Sequence, residues 1–570
     1  MRPKVIGFVV ILGFAFLLLN LLNFQVIRGR EFRRLSDKNC IRILAQDGSR
    51  GRILDRNGLV LVTSEISYDL MIFAKSFDNL DSCFWAAAKI LETDSKILKT
   101  RFKNGYLGAF APVAVAKNLT LKQAIALEEL KMSYPQITVQ PHPVRLYTYG
   151  RLAAHIIGYL NEIDRWRLTR LEDYGYNTKD IVGFGGVEEN YDYYLRQEEG
   201  GLSVEVDHRA RPVRTLGFKP PKNGKDIELT LDLKIQKIIE EALQGQRGCV
   251  VVMQPQTGEI LGLASFPNFN PSVFVKRDIP AIRELFRNPE APLVNRAISS
   301  AFPAGSVFKV VVAAAGLETG RLSAAKTFYC SGAMRIGRAE FACWEKHDAQ
   351  NLVNAMAHSC NIFFYNTGLL AGAKTLHDYA VKFGFAHACG IDLPYETTGF
   401  IPSPLWRKVS RMKNWFDGDT ANLAIGQGEV LVSPLQIARM MAVFANNGYL
   451  VRPYIVKAVD GRDISLYQRK AVRLPIKEAT LNYVREGLRG VIAFSDGTAS
   501  ILSVLPISAA GKTGTAQAPP GLSHGWFAGF FPFKNPKFVI CVFLERGGAG
   551  YYASIVAKQI IERMIQEGLV

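Results

Sequence analysis

The feature that most constrains this chain is an uncharged apolar run from Val5 to Ile27. As an α-helix with a rise of roughly 1.5 Å per residue, its 23 residues extend about 34 Å, enough to cross a hydrocarbon core of about 30 Å. The run is longer than the apolar core of a cleaved signal peptide and has no small-residue cleavage site. No second run of this kind follows it. We therefore expect residues 1–28 to form an uncleaved signal anchor that tethers the rest of the chain to one membrane face.

The charge of the chain does not decide its compartment. With 69 Lys+Arg against 51 Asp+Glu, the formal net charge is +18, which suits nucleic acid, an anionic membrane surface or an acidic polymer. Basic residues flank the apolar run on both sides, and they are Arg2, Lys4, Arg28, Arg30, Arg33 and Arg34. Taken literally, the positive-inside rule would place the bulk of the chain inside the cell. No helix-turn-helix or zinc-finger spacing is found, so we expect no nucleic-acid partner.

A chain of 570 residues is too long for one ordinary domain and allows roughly three or four. Because 48% of the residues are hydrophobic and 21% are charged, the chain can bury sizeable cores, which excludes the disordered and fibrous classes. The segment from Pro212 to Lys225 is rich in Pro, Gly and Lys and is the best candidate for a domain boundary. We therefore predict one region at residues 29–225 and another domain at residues 226–570.

Local patterns predict an α+β fold for the C-terminal domain. Asn57-Gly58 between short apolar segments predicts a β-hairpin in the N-terminal region. Farther along the chain, paired strands are predicted at Cys249 to Met253 with Glu259 to Ala264, and at Trp526 to Phe531 with Phe538 to Leu544. Helical periodicity follows Asp232 to Leu243 and Ala553 to Gln566. Strands at both ends of the domain with helical sequence between them indicate an antiparallel sheet flanked by helices.

Three small motifs in this domain carry residues suited to catalysis. The first places Ser306 and Lys309 three residues apart at the start of an apolar helix, where a desolvated lysine can take the proton of a serine. The second is Ser359-Cys360-Asn361, and the third is Lys512-Thr513-Gly514-Thr515, after an apolar segment. Each motif alone is weak, because a solvated helix face, a helix cap and a strand edge explain them equally well.

The order and spacing of the three motifs resemble those of penicillin-binding transpeptidases. The resemblance covers nearly the whole chain, and the segments that carry it outside the motifs are Arg50-Gly51, Asp55 to Gly58, Arg145 to Tyr159, Gly186 to Glu188 and Ala424 to Gly428. These segments are similar to the class B, monofunctional members, which implies a membrane anchor, an elongated non-catalytic pedestal and head of the dimerisation type at 29–225, and a transpeptidase domain at 226–570. Cys343-Trp344, Phe363 to Tyr365 and Gly390 to Pro394 are most similar to the penicillin-binding protein 2 group of elongation enzymes. The division-specific group is the nearest alternative.

The resemblance also implies roles for the motif residues. Ser306 would attack the carbonyl between the terminal D-alanines of a peptidoglycan stem peptide, with Lys309 as base. Ser359 would relay a proton to the leaving amine, and Asn361 would hold the substrate amide. In the third motif Lys512 would supply positive potential, and the substrate-binding residues would be Thr513, Gly514 and Thr515. Transfer to an amine would cross-link the wall, with carboxypeptidase chemistry as a side activity and β-lactams as acylating inhibitors.

This chemistry implies a catalytic domain in the periplasm, anchored in the inner membrane, despite the flanking arginines. The resemblance further implies that the chain docks onto a membrane-embedded SEDS-family polymerase and the elongation machinery. Asn20 and Asn23 share one face of the span and are candidates for that contact, with interfacial water as the alternative. Two other classes remain open: a β-lactam sensor, which would need several spans, and a non-catalytic scaffold, which would tolerate loss of a motif.

The placement of four metal-binding side chains suggests a zinc site, although the chemistry itself requires no cofactor. Cys330, Cys343, His347 and Cys360 are ligand types of a tetrahedral zinc site, at a looser spacing than in a zinc finger. Some members of the penicillin-binding protein 2 group are similar, with a structural zinc beside the active site. A disulfide between Cys330 and Cys343, or separate buried thiols, are the alternatives. His358 or Asp348 would be the replacement ligand if His347 does not serve.

Overall fold

The N-terminal apolar run is helical in the structure, a computed structural model that describes residues 3–73, 80–106, 112–206, 212–518 and 520–570. An α-helix over Pro3–Leu22 continues into one π-helical turn at Asn23–Ile27. Within the described residues, Gly7–Ile27 is the one helical segment long and apolar enough to cross a membrane, with a mean hydropathy of 2.3 and no buried part. The amide of Asn20 donates a hydrogen bond of 2.9 Å to the carbonyl oxygen of Phe16. One donor of the Asn20 side chain is therefore used within its own helix.

The helices lie throughout the described chain. Their bounds are α1 Pro3–Leu22, α2 Gly29–Cys40, α3 Asp81–Leu91, α4 Ser95–Gly105, α5 Leu121–Leu130, α6 Ala154–Ile157, α7 Arg165–Leu171, α8 Gly186–Asn190, α9 Asp192–Leu195, α10 Leu233–Ala242, α11 Ser272–Val275, α12 Ile279–Arg287, α13 Lys309–Glu318, α14 Leu352–Ala357, α15 Asn361–Ala371, α16 Ala373–Lys382, α17 Pro404–Arg411, α18 Asp417–Ala424, α19 Pro434–Ala445, α20 Ser465–Gln468, α21 Glu478–Ala493 and α22 Gly550–Gln566.

The strands are mostly short. Their bounds are β1 Ile41–Gln46, β2 Ile53–Leu54, β3 Val60–Ile72, β4 Val113–Leu119, β5 Ile137–Tyr147, β6 Tyr159–Glu162, β7 Ile181–Phe184, β8 Gly200–Val206, β9 Pro212–Lys219, β10 Ile227–Leu229, β11 Gly248–Met253, β12 Ile260–Phe266, β13 Phe302–Pro303, β14 Phe328–Cys330, β15 Ala333–Ile336, β16 Ala339–Ala342, β17 Asp348–Gln350, β18 Leu431–Val432, β19 Tyr449–Val451, β20 Val456–Val459, β21 Arg462–Asp463, β22 Ala471–Arg473, β23 Ala510–Ala516, β24 His524–Phe531 and β25 Phe538–Leu544.

The chain divides into two compact units. The smaller unit comprises residues 1–51, 64–144 and 196–224. Its strands β1, β8 and β9 form an antiparallel sheet in the order β1-β8-β9, while β3 pairs with β4 and β5. A core that includes Leu70, Phe84 and Phe102 lies between strands β3, β4 and β5 and helices α3, α4 and α5.

The larger unit comprises residues 52–63, 145–195 and 225–570, and its central element is a five-stranded antiparallel sheet in the order β12-β11-β25-β24-β23. Alternate residues of its strands bury on opposite faces. On one face, Val250 and Ile540 pack in a core with residues of α10 and α22, and on the other, Val251 and Cys541 join a core with α13 and α19. Because both faces are covered by helices, the central strands are almost continuously apolar. The predicted α+β class with an antiparallel sheet is confirmed.

Several local predictions are also confirmed. The Asn57-Gly58 hairpin forms, with Ile53 opposite Val62 and Gly58 in the left-handed region at φ +80°. Helix α10 begins after Asp232, whose carboxylate accepts hydrogen bonds from two backbone amides of the first turn. The two predicted strand pairs are β11 with β12 and β24 with β25. Strand β23 pairs with β24 on one side and forms an edge of the sheet, which leaves its other side available to a ligand.

Candidate active site

The first motif lies in a tight turn directly before α13. Residues Gly305–Phe308 form a 3-10 turn, and Lys309 is the first residue of the α-helix. The sequence predicts a helix that starts at Ser306, so the structure differs by this turn, which Gly305 permits with a φ of +56°. Residues three apart eclipse each other in a 3-10 turn, which keeps Ser306 and Lys309 on one side. Ser306 is half-buried, whereas Lys309 is fully buried.

Lys309 joins the first motif to the second. Its Nζ donates hydrogen bonds to the Ser359 carbonyl oxygen at 2.6 Å and to the Asn361 Oδ1 at 2.7 Å, and it lies 3.3 Å from the Ser359 Oγ. The same Nζ lies 5.4 Å from the centroid of the Phe364 ring, within the range of a cation–π contact. Burial lowers the pKa of Lys309 to about 8, because the surrounding protein does not solvate the ammonium as water does. A neutral, proton-accepting amine is therefore accessible near physiological pH.

The second motif forms the turn between α14 and α15. Ser359 has a left-handed backbone conformation at φ +55°, which is uncommon for a serine and is imposed by the surrounding hydrogen bonds. Cys360 occupies the N-cap position of α15, and its amide donates to the carbonyl of Ala355. The Nδ2 of Asn361 donates to the carbonyl of Ala342 at 3.2 Å, so both ends of this side chain are held.

The third motif lies on the edge strand β23. Lys512 is fully buried, and its pKa is lowered well below its usual value, first by burial and then by the charge of Lys309. The hydroxyl of Thr513 donates to the Oγ1 of Thr498 at 2.7 Å. Gly514 packs closely against the nucleophile turn, because a Cβ there would lie 3.2 Å from Val307 Cγ1 and 3.3 Å from the Ala304 carbonyl oxygen. The strand thus passes directly beside the turn that carries Ser306.

Thr515 completes the strand and is the exposed member of the motif. Its Oγ1 accepts a hydrogen bond of 3.0 Å from the backbone amide of Gly550 at the start of α22. Its carbonyl oxygen accepts a longer one, of 3.4 Å, from Gln427 Nε2. The three motifs, separated by up to 209 positions in the sequence, therefore meet around one buried lysine.

Thr498, which contacts Thr513, was missed by sequence reasoning. It follows Asp496-Gly497, which signals only a turn, and no local pattern indicates that this turn reaches β23. The glycine contacts of the nucleophile turn were missed for the same reason, since they are contacts between distant segments.

The four predicted zinc ligands lie together beside the second motif. The ligand atoms of Cys330, Cys343, His347 and Cys360 all lie within 4.8 Å of one another. Cys330 ends β14, and Cys343 follows the hairpin of β15 and β16. Cys360 begins α15. His347 directs Nδ1 at the Sγ atoms of Cys330 and Cys343, each 3.5 Å away.

The chemistry of this cluster fits a zinc ion. Three thiols and one imidazole form a ligand set of structural zinc sites. The pKa of Cys343 is lowered by a hydrogen bond with Cys360, and backbone amides, among them that of Asn361, lower it further. The Nε2 of His347 is buried and has no hydrogen-bond partner among the described residues, whereas Nδ1 faces the thiols. Cys330 and Cys343 are free thiols here, not a disulfide.

The two replacement ligands considered from the sequence do not join the cluster. His358 directs Nδ1 to the Oε1 of Gln350 at 2.9 Å, and its Nε2 lies 3.0 Å from Asp496 Oδ2. That contact lacks the alignment of a hydrogen bond. Asp348 is largely exposed and accepts a hydrogen bond from Tyr329.

Known proteins are similar to this chain over nearly its whole length. The family model of the penicillin-binding protein transpeptidase domain matches residues 248–566, and that of the penicillin-binding protein dimerisation domain matches residues 45–229. The peptidoglycan D,D-transpeptidase MrdA of Escherichia coli (strain K12) is 31% identical over 583 aligned positions, which cover 96% of this chain and 91% of the relative.

Solved structures agree with this assignment. Penicillin-binding protein 2 of Helicobacter pylori, solved in a complex with MreC, is 26% identical with a TM-score of 0.82, and the match covers 93% of this chain and 99% of that chain. A chain of a peptidoglycan synthase complex that coordinates polymerization and crosslinking is 28% identical with a TM-score of 0.75, and the match covers 98% of each chain. This chain therefore belongs to the penicillin-binding proteins, as a class B member most similar to penicillin-binding protein 2.

Proposed function

We propose that this chain is a peptidoglycan D,D-transpeptidase of the elongation type, which cross-links stem peptides through an acyl-enzyme on Ser306. The observation that carries the proposal is the position of Lys309, a buried lysine hydrogen-bonded to both Ser359 and Asn361 directly after the nucleophile turn. The relatives named MrdA support the elongation type over the division-specific alternative.

In the first half-reaction, Lys309 accepts the proton of the Ser306 hydroxyl as its oxygen attacks the carbonyl between the two terminal D-alanines. The lowered pKa of Lys309 supports this role, because a base must be unprotonated to act. Collapse of the tetrahedral intermediate breaks the amide bond and leaves the acyl group on Ser306. Ser359, whose Oγ lies 3.3 Å from Lys309 Nζ, relays that proton to the departing D-alanine amine.

The third motif recognises the substrate. Thr513 and Thr515 bind the terminal carboxylate, Gly514 allows the strand to approach the nucleophile turn, and Lys512 supplies positive potential when protonated. The backbone amides of Ser306 and Thr515 form the oxyanion hole, where loss of one donor typically lowers the rate by ~10²–10³. Asn361, fixed between Lys309 and the carbonyl of Ala342, holds the substrate amide.

In the second half-reaction, the amine of a neighbouring stem attacks the acyl-enzyme, restores the Ser306 hydroxyl and forms the cross-link. Water in place of that amine gives the carboxypeptidase side activity. β-Lactams acylate the same serine, but their leaving amine stays tethered and blocks the acceptor. The intact set of three motifs argues against a non-catalytic scaffold, and the one candidate span among the described residues does not favour a sensor with several spans.

We further propose that residues 1–28 anchor the chain in the inner membrane, that residues 29–225 form the non-catalytic pedestal and head, and that residues 226–570 form a periplasmic transpeptidase domain. The apolar helix over Gly7–Ile27 supports the anchor. The bounds of the two matched family models, 45–229 and 248–566, support the division. Cell-wall chemistry requires a catalytic domain on the outer side of that membrane.

The partners follow from the same assignment. A relative from Helicobacter pylori forms a complex with MreC, and another relative is part of a peptidoglycan synthase complex. For this chain we propose a SEDS-family polymerase and the elongation machinery as partners, reached through the anchor and the non-catalytic region.

The Cys/His cluster would hold one structural zinc ion through Cys330, Cys343, His347 and Cys360. When bound, the ion would tie together the end of β14, the segment that follows the hairpin of β15 and β16, and the start of α15. Because Cys360 lies between Ser359 and Asn361, these bonds would hold the second motif in its observed turn. The metal takes no part in the acyl transfer.

Labelling with a fluorescent penicillin tests the proposed function. The full chain in detergent should carry one label, which peptide mass mapping should place on Ser306. The Ser306→Ala variant should lose the label, while Ser323→Ala, which changes an exposed serine in the loop after α13, should keep it. Label that persists in Ser306→Ala would refute the assignment of the nucleophile.

A further inference from the structure

The hydroxyl of Thr498 contacts that of Thr513, the residue to which we assign binding of the substrate carboxylate. Thr498 lies in the turn between α21 and a short 3-10 helix at Ser500–Val504. Its Oγ1 is 2.7 Å from the Oγ1 of Thr513, which is a short hydrogen bond between two hydroxyls. Thr513 is only 5% exposed and Thr498 is half-buried, so competition from bulk water at this bond is limited.

The turn that carries Thr498 is held firmly on both sides. The amide of Thr498 donates to the carbonyl of Ala357 at the end of α14, at 3.2 Å, and the amide of Ala499 donates to the carbonyl of Val491 at 3.0 Å. A Cβ on Gly497 would lie 2.4 Å from the Val491 carbonyl oxygen, so only glycine fits this turn. Thr498 is therefore a fixed point between the helix that leads into the second motif and the strand of the third.

The direction of this hydrogen bond bears on carboxylate binding. A threonine hydroxyl has one proton to donate and two lone pairs to accept with. The two Oγ1 atoms lie 2.7 Å apart, so either hydroxyl can donate to the other, and without a ligand Thr513 can give its proton to Thr498. A carboxylate can only accept, so Thr513 must turn its proton toward the ligand. The bond between the two threonines survives this change only if Thr498 becomes the donor. A hydrogen bond to the charged carboxylate is stronger than one between neutral hydroxyls, which favours the reversal.

We propose that Thr498 is a positioning residue for the terminal carboxylate: it donates to the Thr513 Oγ1 when substrate binds and so directs the Thr513 proton at the carboxylate. The proposal rests on the carboxylate role proposed for Thr513 above. Without the Thr498 hydroxyl, the Thr513 hydroxyl loses the donor that orients it. The Thr513 proton then points at the ligand for a smaller fraction of the time.

The test compares acylation of Ser306 by benzylpenicillin, which carries a carboxylate, with acylation by its uncharged methyl ester. The Thr498→Val variant keeps the shape of the side chain and removes the hydroxyl. We expect it to lower the second-order acylation constant for the acid by roughly 10-fold and that for the ester by less than about 2-fold. Thr498→Ser should restore the preference for the acid. Thr367→Val is the matched control, because among the described residues that buried hydroxyl bonds to a carbonyl of its own helix, that of Phe363.

The outcomes separate this inference from the proposed function. An absence of Ser306 labelling in the unmodified chain would refute the proposed function itself. If Thr513→Val reduces the preference for the acid and Thr498→Val does not, the role of Thr513 stands and that of Thr498 is wrong. Equal slowing of acid and ester by Thr498→Val, without rescue by serine, would reveal a purely structural residue and overturn the inference. If the valine variant does not fold, Thr498→Ala permits the same comparison.

Discussion

The backbone amide of Gly305 donates a hydrogen bond of 2.9 Å to the carbonyl of Gly426, and the two glycines lie in direct contact. Both have left-handed backbone conformations, with φ values of +56° and +67°. A Cβ on Gly426 would lie 2.3 Å from the Gly305 carbonyl oxygen, and one on Gly305 would lie 2.9 Å from that of Thr515. The turn that holds the nucleophile is therefore packed between the Gly426 turn and the third motif, with no room for a side chain.

This contact predicts that Gly426→Ala impairs acylation without changing any catalytic side chain. The left-handed conformation alone costs about 1–3 kcal/mol for a residue with a Cβ, and relief of the clash must displace Gly305. We expect at least a ~10-fold lower acylation rate by benzylpenicillin and a lower melting temperature. The control is Gly217→Ala, since nothing lies within 4 Å of a Cβ there. A Gly426→Ala enzyme with unchanged acylation kinetics would contradict the packing argument.

The parts of the fold that the sequence predicts are those determined by neighbouring residues. The hairpin at Asn57-Gly58 forms because a short turn, with Gly58 in the left-handed region, brings adjacent strands together. Helix α10 has an Asp232 cap and a regular apolar face, and both are visible in the sequence. The paired strands β24 and β25 are nearly continuous apolar segments close together in the chain. In the site, the order of the motifs indicates which serine and lysine act together as nucleophile and base.

The parts that escape prediction depend on contacts between distant segments. Nothing near Thr498 indicates that its hydroxyl reaches Thr513, and nothing near Gly426 indicates that it contacts Gly305. The apolar run after Ser306 predicts a helix but not the 3-10 turn that precedes it, because that turn depends on a left-handed Gly305 held by tertiary contacts. For the same reason, the spacing of the cysteines left open which histidine faces them.

The pKa of Lys309 predicts the pH dependence of acylation. Burial lowers that pKa from 10.5 to about 8, while Cys343 and Cys360 act in the opposite direction and raise it. Only the neutral amine is a base, so the rate at low benzylpenicillin concentration should rise with pH and level off above about 8. Below that value it should fall about tenfold per pH unit.

Stopped-flow acylation between pH 6 and 10 measures this profile. Lys326→Met, which removes an exposed lysine outside the site, should leave the midpoint unchanged. A midpoint near 10.5, or a rate independent of pH, would exclude Lys309 as the base.

A buried ion pair predicts a large effect on stability far from the motifs. Arg145 Nε and Glu188 Oε1 are 2.7 Å apart, and the exposed fractions of their side chains are 1% and 0%. Glu188→Ala leaves the guanidinium buried without this counter-charge, which costs about 3–5 kcal/mol in the free energy of unfolding. The control is Glu241→Ala, since the Glu241–Arg563 pair is about half exposed and contributes less than about 1 kcal/mol. Urea unfolding measures both values, and similar losses in the two variants would disprove the special role of the buried pair.

The proposed zinc site predicts that His347→Ala lowers the metal content of the protein and slows acylation at Ser306. The imidazole Nδ1 lies 3.5 Å from the Sγ atoms of two cysteines, so its removal takes one of four ligands from the site. Loss of the metal frees the start of α15, where Cys360 separates Ser359 from Asn361. Elemental analysis of protein purified without chelator should give one zinc per chain, and clearly less in the variant.

Two further variants make this measurement selective. His387→Ala removes an exposed histidine outside the cluster and should retain the metal. His358→Ala should also retain it, because the His358 ring nitrogens face Gln350 and Asp496 instead of the thiols. Zinc lost from His358→Ala but kept in His347→Ala would reverse the ligand assignment. Protein without zinc, in which thiol titration finds two cysteines consumed by a disulfide, would overturn the zinc site. The cluster would then serve as a covalent cross-link between Cys330 and Cys343 or another pair, because a disulfide there excludes free thiols and a filled metal site.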